Sequence, residues 1–391
     1  MATRPRVYLD WNATAPLLAD AREAMRAAMD VAGNPSSIHQ EGRAARALVE
    51  EARAQVAALA GAKPERVIFT SGATEAMSLA LTSGLLGADR RGADALILSA
   101  GEHACALEGH RFPRERVRLA PLDGEGRLDL GGLARLLEDL GDARPMLALQ
   151  AANNETGAVQ PVAEAAGLVH ARGGLVVCDA VQAPGRIPCG FDALPVDALA
   201  FSAHKMGGPK GVGALVLGEA ASNIETVQIR GGGQERGMRA GTENTIGIAG
   251  FGAAAKFVRE QGLDHMARLA GLRDGLEARL KAALPDLTIF AKGAQRLSNT
   301  SAFALSGAPA ATLLIALDLE GFALSSGSAC SSGKVRPSHV LAAMGIAPDL
   351  AQGALRVSMG RDTQAQETQA FADAFERAAS RISRRGSSAA A

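Results

Sequence analysis

The sequence predicts an α/β protein, with one large unit built on a mostly parallel sheet covered by helices on both faces and a smaller α+β unit. Three observations carry this. Between about residues 60 and 220 short β-rich runs alternate with helical stretches rich in alanine and leucine, the pattern of parallel strands joined by crossover helices. After about residue 260 the texture changes to charged amphipathic helices around a few strand-like runs. The chain has 391 residues, 47% of them hydrophobic, enough for a sizeable core and, at about 150 residues per domain, for two or so domains.

In chain order, the strand candidates of the first region are VIFT, ALILS, MLALQ, LVVCDA, ALAFSA and ALVLG. The helical patterns EAMSLALTSGLL and LARLLEDL fall between them. The second region reads as an amphipathic helix (HMARLAGLRDGLEARLKAAL), a strand (NTSAFAL), a second helix, the Ser/Gly stretch SSGSACSSG and a final helix from about residue 363. The closing RRGSSAAA is expected to fray. In such a sheet the ligand crevice lies at the carboxyl ends of the strands.

Composition excludes several functions. The 41 basic residues balance the 41 acidic ones, so no long-range field gathers nucleic acid or an anionic membrane. The amino terminus has no apolar signal-type core, and the longest uncharged apolar run, IGIAGFGAAA at 246–255, is too short to span a bilayer. A cytoplasmic location is the expectation. Cys105, Cys178, Cys189 and Cys330 form no CxxC pair or disulfide framework, so no metal site is expected and each is a single thiol.

Three strand ends carry candidate chemistry. In RVIFTSGATEAMSLAL a strand turns through Ser71 and Gly72 into a helix starting near Ala73 and Thr74; such a helix end is a phosphate site or an ordinary Ser/Thr cap. In LVVCDAVQAP, Asp179 follows an apolar strand, where a carboxylate needs a partner, if only a turn that it caps. In FSAHKMGGPKGVGAL a strand ends in Ser202, His204 and Lys205. Its glycines and Pro209 turn the chain back, and no Gly-Lys-Ser/Thr closes a nucleotide loop. Asn154 ends a further run, ALQAANNE. Pyridoxal phosphate needs such a set: a lysine for the Schiff base, an acid for the pyridine nitrogen, and donors for phosphate and ring oxygen.

With these residues in view, the chain resembles the cysteine desulfurases of the NifS/IscS type, in the class V aminotransferase family. The resemblance runs through YLDWNATAP, GNPSSIH, FTSGATEAMSLA, EHACALE, NNETGAVQP, CDAVQAPG, SAHKMGGPKGVGAL, GGGQERGMRAGTEN, SSGSAC and LRVSMGR, in that order. It implies the aspartate aminotransferase-like fold type I, with residues 16–260 as the large cofactor-binding domain and 1–15 with 261–391 as the small one. It implies Lys205 as the Schiff-base lysine, Asp179 on the pyridinium nitrogen, Gln182 near the ring oxygen, and Asn154 on the cofactor's face and at the substrate. Ala73, Thr74, Ser202 and His204 match phosphate contacts, and Thr242 matches a hydroxyl reaching the partner subunit's phosphate, hence a homodimer. His103 matches the histidine that stacks on the ring and moves protons, and Arg356 the clamp for the carboxylate of L-cysteine.

Cys330, in SSGSACSSG, is the thiol that the resemblance makes catalytic. Its small neighbours suggest an exposed, mobile loop, which suits a thiolate that takes the sulfur of L-cysteine and swings away with it as a persulfide. Cys178 reads as core, and Cys105 and Cys189 as structural. L-alanine is the co-product, and a sulfur-acceptor protein, such as an iron-sulfur scaffold, is the implied partner. Trp11, Ala15, Met206 and Met238 depart from or vary within the family pattern at the rim. A selenocysteine lyase with no use for Cys330 and an idle partner-binding scaffold remain as alternatives.

Overall fold

The computed structural model describes residues 6–327 and 338–389, with side chains at all of these except 222 and 383–389. Its large sheet has strands β1 (Val67–Thr70), β2 (Ala95–Ser99), β3 (Val117–Ala120), β4 (Pro145–Gln150), β5 (Leu175–Asp179), β6 (Ala198–Ser202) and β7 (Gly213–Leu217). The order is β1-β7-β6-β5-β4-β2-β3. Only β7 runs against the others. Every strand except β3 is buried along its whole length, which is why they read as unbroken apolar runs. The edge strand β3, VRLA, is partly exposed and carries Arg118, so the sequence pattern does not betray it.

Helices α1 (Ala19–Met29), α2 (Gln40–Ala60), α3 (Ala73–Ala80), α4 (Leu130–Asp139), α5 (Val162–His170) and α6 (Thr245–Gln261) cover the sheet. Val49, Val56, Leu133, Val169 and Phe251 join one face to α2, α4, α5 and α6, while Met77 and Leu79 of α3 pack on the other. The expected long helix EAMSLALTSGLL ends at Ala80, and Leu85–Gly87 instead pairs with Ala221–Ile224. Thr82 Oγ1 accepts from the Gly84 N–H at 3.3 Å, a local bond that competes with helix continuation. A side chain at Gly84 would also strike Thr226, 2.2 Å from its Cβ.

The second sheet is antiparallel, with β8 (Leu287–Ile289), β9 (Thr300–Leu305), β10 (Ser325–Ser326) and β11 (Leu355–Ser358) in the order β8-β9-β11-β10. Helices α7 (Met266–Ala283), α8 (Ala310–Leu319) and α9 (Ala365–Ala389) enclose it. Their core includes Leu276, Leu313, Phe371 and the edge-on pair Phe303–Phe375, 5.3 Å apart. Leu9 belongs to the same core, and Val7–Tyr8 pairs with Phe322–Ala323. The segment 10–15 thereby passes between the two sheets. Helix α9 continues to Ala389 through the stretch expected to fray, since propagating an existing helix is far cheaper than starting one. Among the described residues no helix is long and apolar enough to cross a membrane.

The open edge of β1 is closed by a side chain. Glu235 Oε2 accepts from the Phe69 N–H at 3.0 Å, and the carboxylate pairs bidentately with Arg53 at 2.7 and 2.9 Å. Both residues are buried. Glu235 and Arg236 also hold left-handed backbones, with φ of 45° and 57°, a conformation that costs on the order of 1 kcal/mol or more for such residues. Breaking a buried pair leaves one charge alone, so Glu235→Ala is expected to lower the unfolding free energy by about 3–5 kcal/mol. Urea denaturation measures this, and a loss near zero would contradict the anchoring role.

Candidate active site

A cavity of about 710 Å³ opens where β5 and β6 end and α3 begins. Its wall takes Thr74, His103, Asp179 and Lys205 from the large sheet side and Asn12, Ser325 and Arg356 from the other.

Lys205 closes a single turn of 3-10 helix, Ala203–Lys205, directly after β6. The Met206 and Gly208 N–H groups both donate to Ala203 O, at 3.1 and 2.9 Å. Gly207 then takes φ +88°, a left-handed position natural to glycine. Lys205 Nζ donates to Asn12 O at 2.7 Å and Ala13 O at 2.9 Å. Burial, with Arg356 and Arg186 nearby, pulls the amine down to about 8. Exposed Lys210 also borders the cavity, although the sequence gives it no chemical duty.

Asp179 ends β5. Its Oδ1 accepts from the Val181 N–H at 2.9 Å and its Oδ2 faces the Cys105 thiol at 3.7 Å. Burial raises its pKa, with His103, Cys105 and Lys205 opposing. Such a carboxylate is stabilised by any cation placed beside it. Beneath it, Glu102 is fully buried; Oε1 accepts from the Gln150 N–H at 2.7 Å, and Oε2 has no partner among the described residues. Desolvation, then Asp179, pushes Glu102 up to about 8. His103 caps the helical turn Ala104–Leu107, with Nδ1 accepting from the Cys105 N–H at 3.1 Å. The neutral ring thus carries its proton on Nε2. Removal from water in the cleft lowers its pKa.

The amino end of α3 is built for an anion. Its cap, Gly72, supplies no side-chain acceptor, so the first-turn N–H groups of Ala73 and Thr74 remain for a ligand. Gly213 of β7 runs close by: a Cβ there would lie 2.7 Å from Gly72 Cα. Ser202 is buried at the end of β6, and His204 stands 3.0 Å from Thr14 Oγ1. Burial, then Lys205 and Lys210, lower His204 to about 4. Exposed Thr242 lies apart from these groups, lining a neighbouring cavity with Ser71 and Gly211.

Arg356 of β11 donates from Nη1 to Asn154 O at 2.9 Å and from Nη2 to Asp10 at 2.7 Å. Its Nε is buried without a partner among the described residues, leaving donor capacity on the cavity wall. Asp10 also accepts from Ser325 Oγ at 2.9 Å. Gln182 lines the cavity and donates to Asn12 O at 3.1 Å. Cys330 lies outside the described residues.

The donor set fits pyridoxal phosphate: uncapped helix N–H groups for the phosphate, a buried carboxylate for a protonated ring nitrogen, and an amine of depressed pKa for the aldehyde. An anion cradle, a carboxylate and a reactive lysine at the carboxyl ends of parallel strands mark the pyridoxal-phosphate enzymes of the aminotransferase-like fold. The chain belongs to the aminotransferase class-V family, whose profile matches residues 7–371. It is 37% identical to a cysteine desulfurase IscS of Dictyoglomus turgidum, over 95% of this chain and 94% of that protein. It is 42% identical to a cysteine desulfurase of Cereibacter sphaeroides, over 93% of this chain and 92% of that one. A NifS-like protein of Rickettsia africae has the same fold, with a TM-score of 0.85 at 31% identity, covering 96% of this chain and 99% of the other.

Sequence reasoning missed several groups. Asn12 and Ala13 act through carbonyl oxygens, which no residue type announces; YLDWNATAP signals only that the segment matters. Asp10 and Glu102 lie in segments that the resemblance covers, but the sequence assigned them no task. Arg186 gave no signal at all.

Proposed function

We propose that the protein is a pyridoxal-phosphate-dependent cysteine desulfurase, converting L-cysteine to L-alanine and leaving the sulfur on Cys330. The observation that carries this reading is the meeting of Lys205, Asp179, His103 and Arg356 at one cavity, in a chain whose family and relatives use that cofactor and chemistry. Pyridoxal phosphate, when bound, draws electrons from the substrate's α-carbon and so weakens its bond to the α-proton.

The residues then divide the work. Ala73, Thr74, Ser202 and His204 would hold the phosphate, Asp179 the ring nitrogen, Gln182 the ring oxygen and Asn154 the ring face. Arg356, in two parallel hydrogen bonds, would fix the α-carboxylate of L-cysteine, with Asn154 beside it. Lys205 takes the α-proton and later returns one, while His103 relays a proton at Nε2. The Cys330 thiolate attacks the substrate sulfur: an S–S bond forms, the carbon–sulfur bond breaks, and its electron pair stays with the carbon side, which is protonated to L-alanine. A persulfide remains on Cys330.

Three finer readings accompany this. The division into 16–260 and 1–15 with 261–391 is supported by the two sheets and by Leu9 packing with Phe303 and Phe371. A homodimer would let Thr242 reach the partner's phosphate. In the cytoplasm, a sulfur-acceptor protein such as an iron-sulfur scaffold would receive the persulfide sulfur.

The depressed pKa of Lys205 makes a pH prediction. Only the neutral amine captures an aldehyde, and the amine loses its proton through about pH 8. The rate at which cofactor-free protein captures added pyridoxal phosphate is expected to rise with pH and level off above about 8. Stopped-flow absorbance checks it; a rate still climbing towards pH 10.5, the ordinary lysine value, would contradict it.

A further inference from the structure

Arg186 is a cation buried without a counter-ion among the described residues. It is 8% exposed, and its hydrogen bonds go to neutral oxygens: Gln182 O at 3.3 Å, the Gln182 side-chain Oε1, and Trp11 O and Lys205 O at 3.4 Å each. Burial lowers its pKa to about 10, and the nearby charge of Arg356 adds to that. A buried ion costs several kcal/mol even after the surroundings relax, so a guanidinium kept here without a carboxylate needs a reason beyond stability.

Its partners supply one. They are the turn after β5, the segment 10–13 and the lysine turn after β6, three separate pieces of the cofactor cleft. A guanidinium can only donate, so the Gln182 amide must turn its oxygen towards Arg186. The Gln182 amine then donates to Asn12 O at 3.1 Å, which also accepts from Lys205 Nζ. With its oxygen and one N–H committed, Gln182 has a single N–H left for the cavity that it lines.

We propose that Arg186 is a positioning residue for the cofactor: it locks the Gln182 amide so that an N–H, never the carbonyl oxygen, is offered to the ring oxygen, and it ties that amide to the backbone of the Lys205 turn. This rests on the reading that Gln182 meets the ring oxygen. An unlocked amide would spend part of its time with an oxygen towards an anionic oxygen, a repulsive arrangement. Arg186 also adds to the positive field that keeps the Lys205 amine readily neutral.

The test is a double-mutant cycle on the full chain, with Arg186→Met, Gln182→Ala and both together. The pyridoxal phosphate dissociation constant and the pH midpoint of the bound chromophore are read by absorbance, and thermal melting checks folding. Arg186→Met is expected to weaken cofactor binding about tenfold, the scale of one charge-assisted hydrogen bond, and to move the chromophore midpoint. In the Gln182→Ala background the same change is expected to cost less than about twofold, because coupled residues are not additive. Arg186→Lys keeps the charge but reaches fewer acceptors at once, so it shows the same coupling in smaller measure and carries the cycle if the methionine variant does not fold. Equal losses in both backgrounds, or no change with Gln182 present, overturn the proposal. An unchanged Gln182→Ala protein overturns the reading of Gln182 as well, which separates the two failures.

Discussion

Lys205→Ala is expected to lower L-cysteine turnover by at least about 10⁴-fold, since in the proposed function it removes both the covalent anchor and the general base. The protein should also lose the absorbance of lysine-bound cofactor while remaining folded. Stability should not suffer, and the sign follows from linkage. The amine's pKa is lower in the folded chain, about 8, than the ordinary 10.5. The folded state therefore binds fewer protons between those values, and stability rises with pH through that window. Below about pH 8 the full cost of burying the charge is present, so removing the amine should leave the melting temperature of the cofactor-free protein at pH 7 equal or higher. A variant that turns over L-cysteine normally would sink the assignment, and one that merely unfolds would show the lysine to be structural.

Cys330→Ser is expected to lower persulfide-dependent sulfur transfer by at least about 100-fold, leaving cofactor binding intact, because only a thiolate makes the required nucleophile. The other cysteines cannot substitute. Cys105, Cys178 and Cys189 are all buried, and desolvation raises the pKa of each, Cys189 to about 12. Cys105 is the instructive case, since it lines the cavity yet points its sulfur at Asp179. A negative neighbour opposes ionisation of the thiol. Measuring alanine and sulfide from L-cysteine for the parent and the Cys330→Ser protein separates the outcomes. A serine variant as active as the parent would point instead to an eliminating lyase with no use for Cys330.

Much of this was legible in the sequence, and the exceptions have physical causes. Six strands of the large sheet were readable because burial on both faces makes them continuous apolar runs; β3 was not, because its edge faces water. The strands Leu287–Ile289 and Ser325–Ser326 are too short to show a period. In the site, Lys205, Asp179 and the end of α3 announced themselves because side-chain chemistry at strand ends has a residue signature. The groups holding Lys205 did not, because Asn12 and Ala13 serve through their backbones. Arg186 was hidden for another reason: its partners are the carbonyls of Trp11, Gln182 and Lys205 and one amide, so no acidic residue in the sequence points to it.

The most direct test of the account is one turnover on the intact enzyme. Cofactor-loaded protein is mixed with L-cysteine without reductant or acceptor, alanine is quantified, and the peptides are weighed by mass spectrometry. About one alanine per active site is expected, with a single added sulfur atom on the peptide carrying Cys330 and none on those carrying Cys105, Cys178 or Cys189. Alanine formed while the Cys330 peptide keeps its original mass, or no alanine from protein that has bound its cofactor, would contradict it.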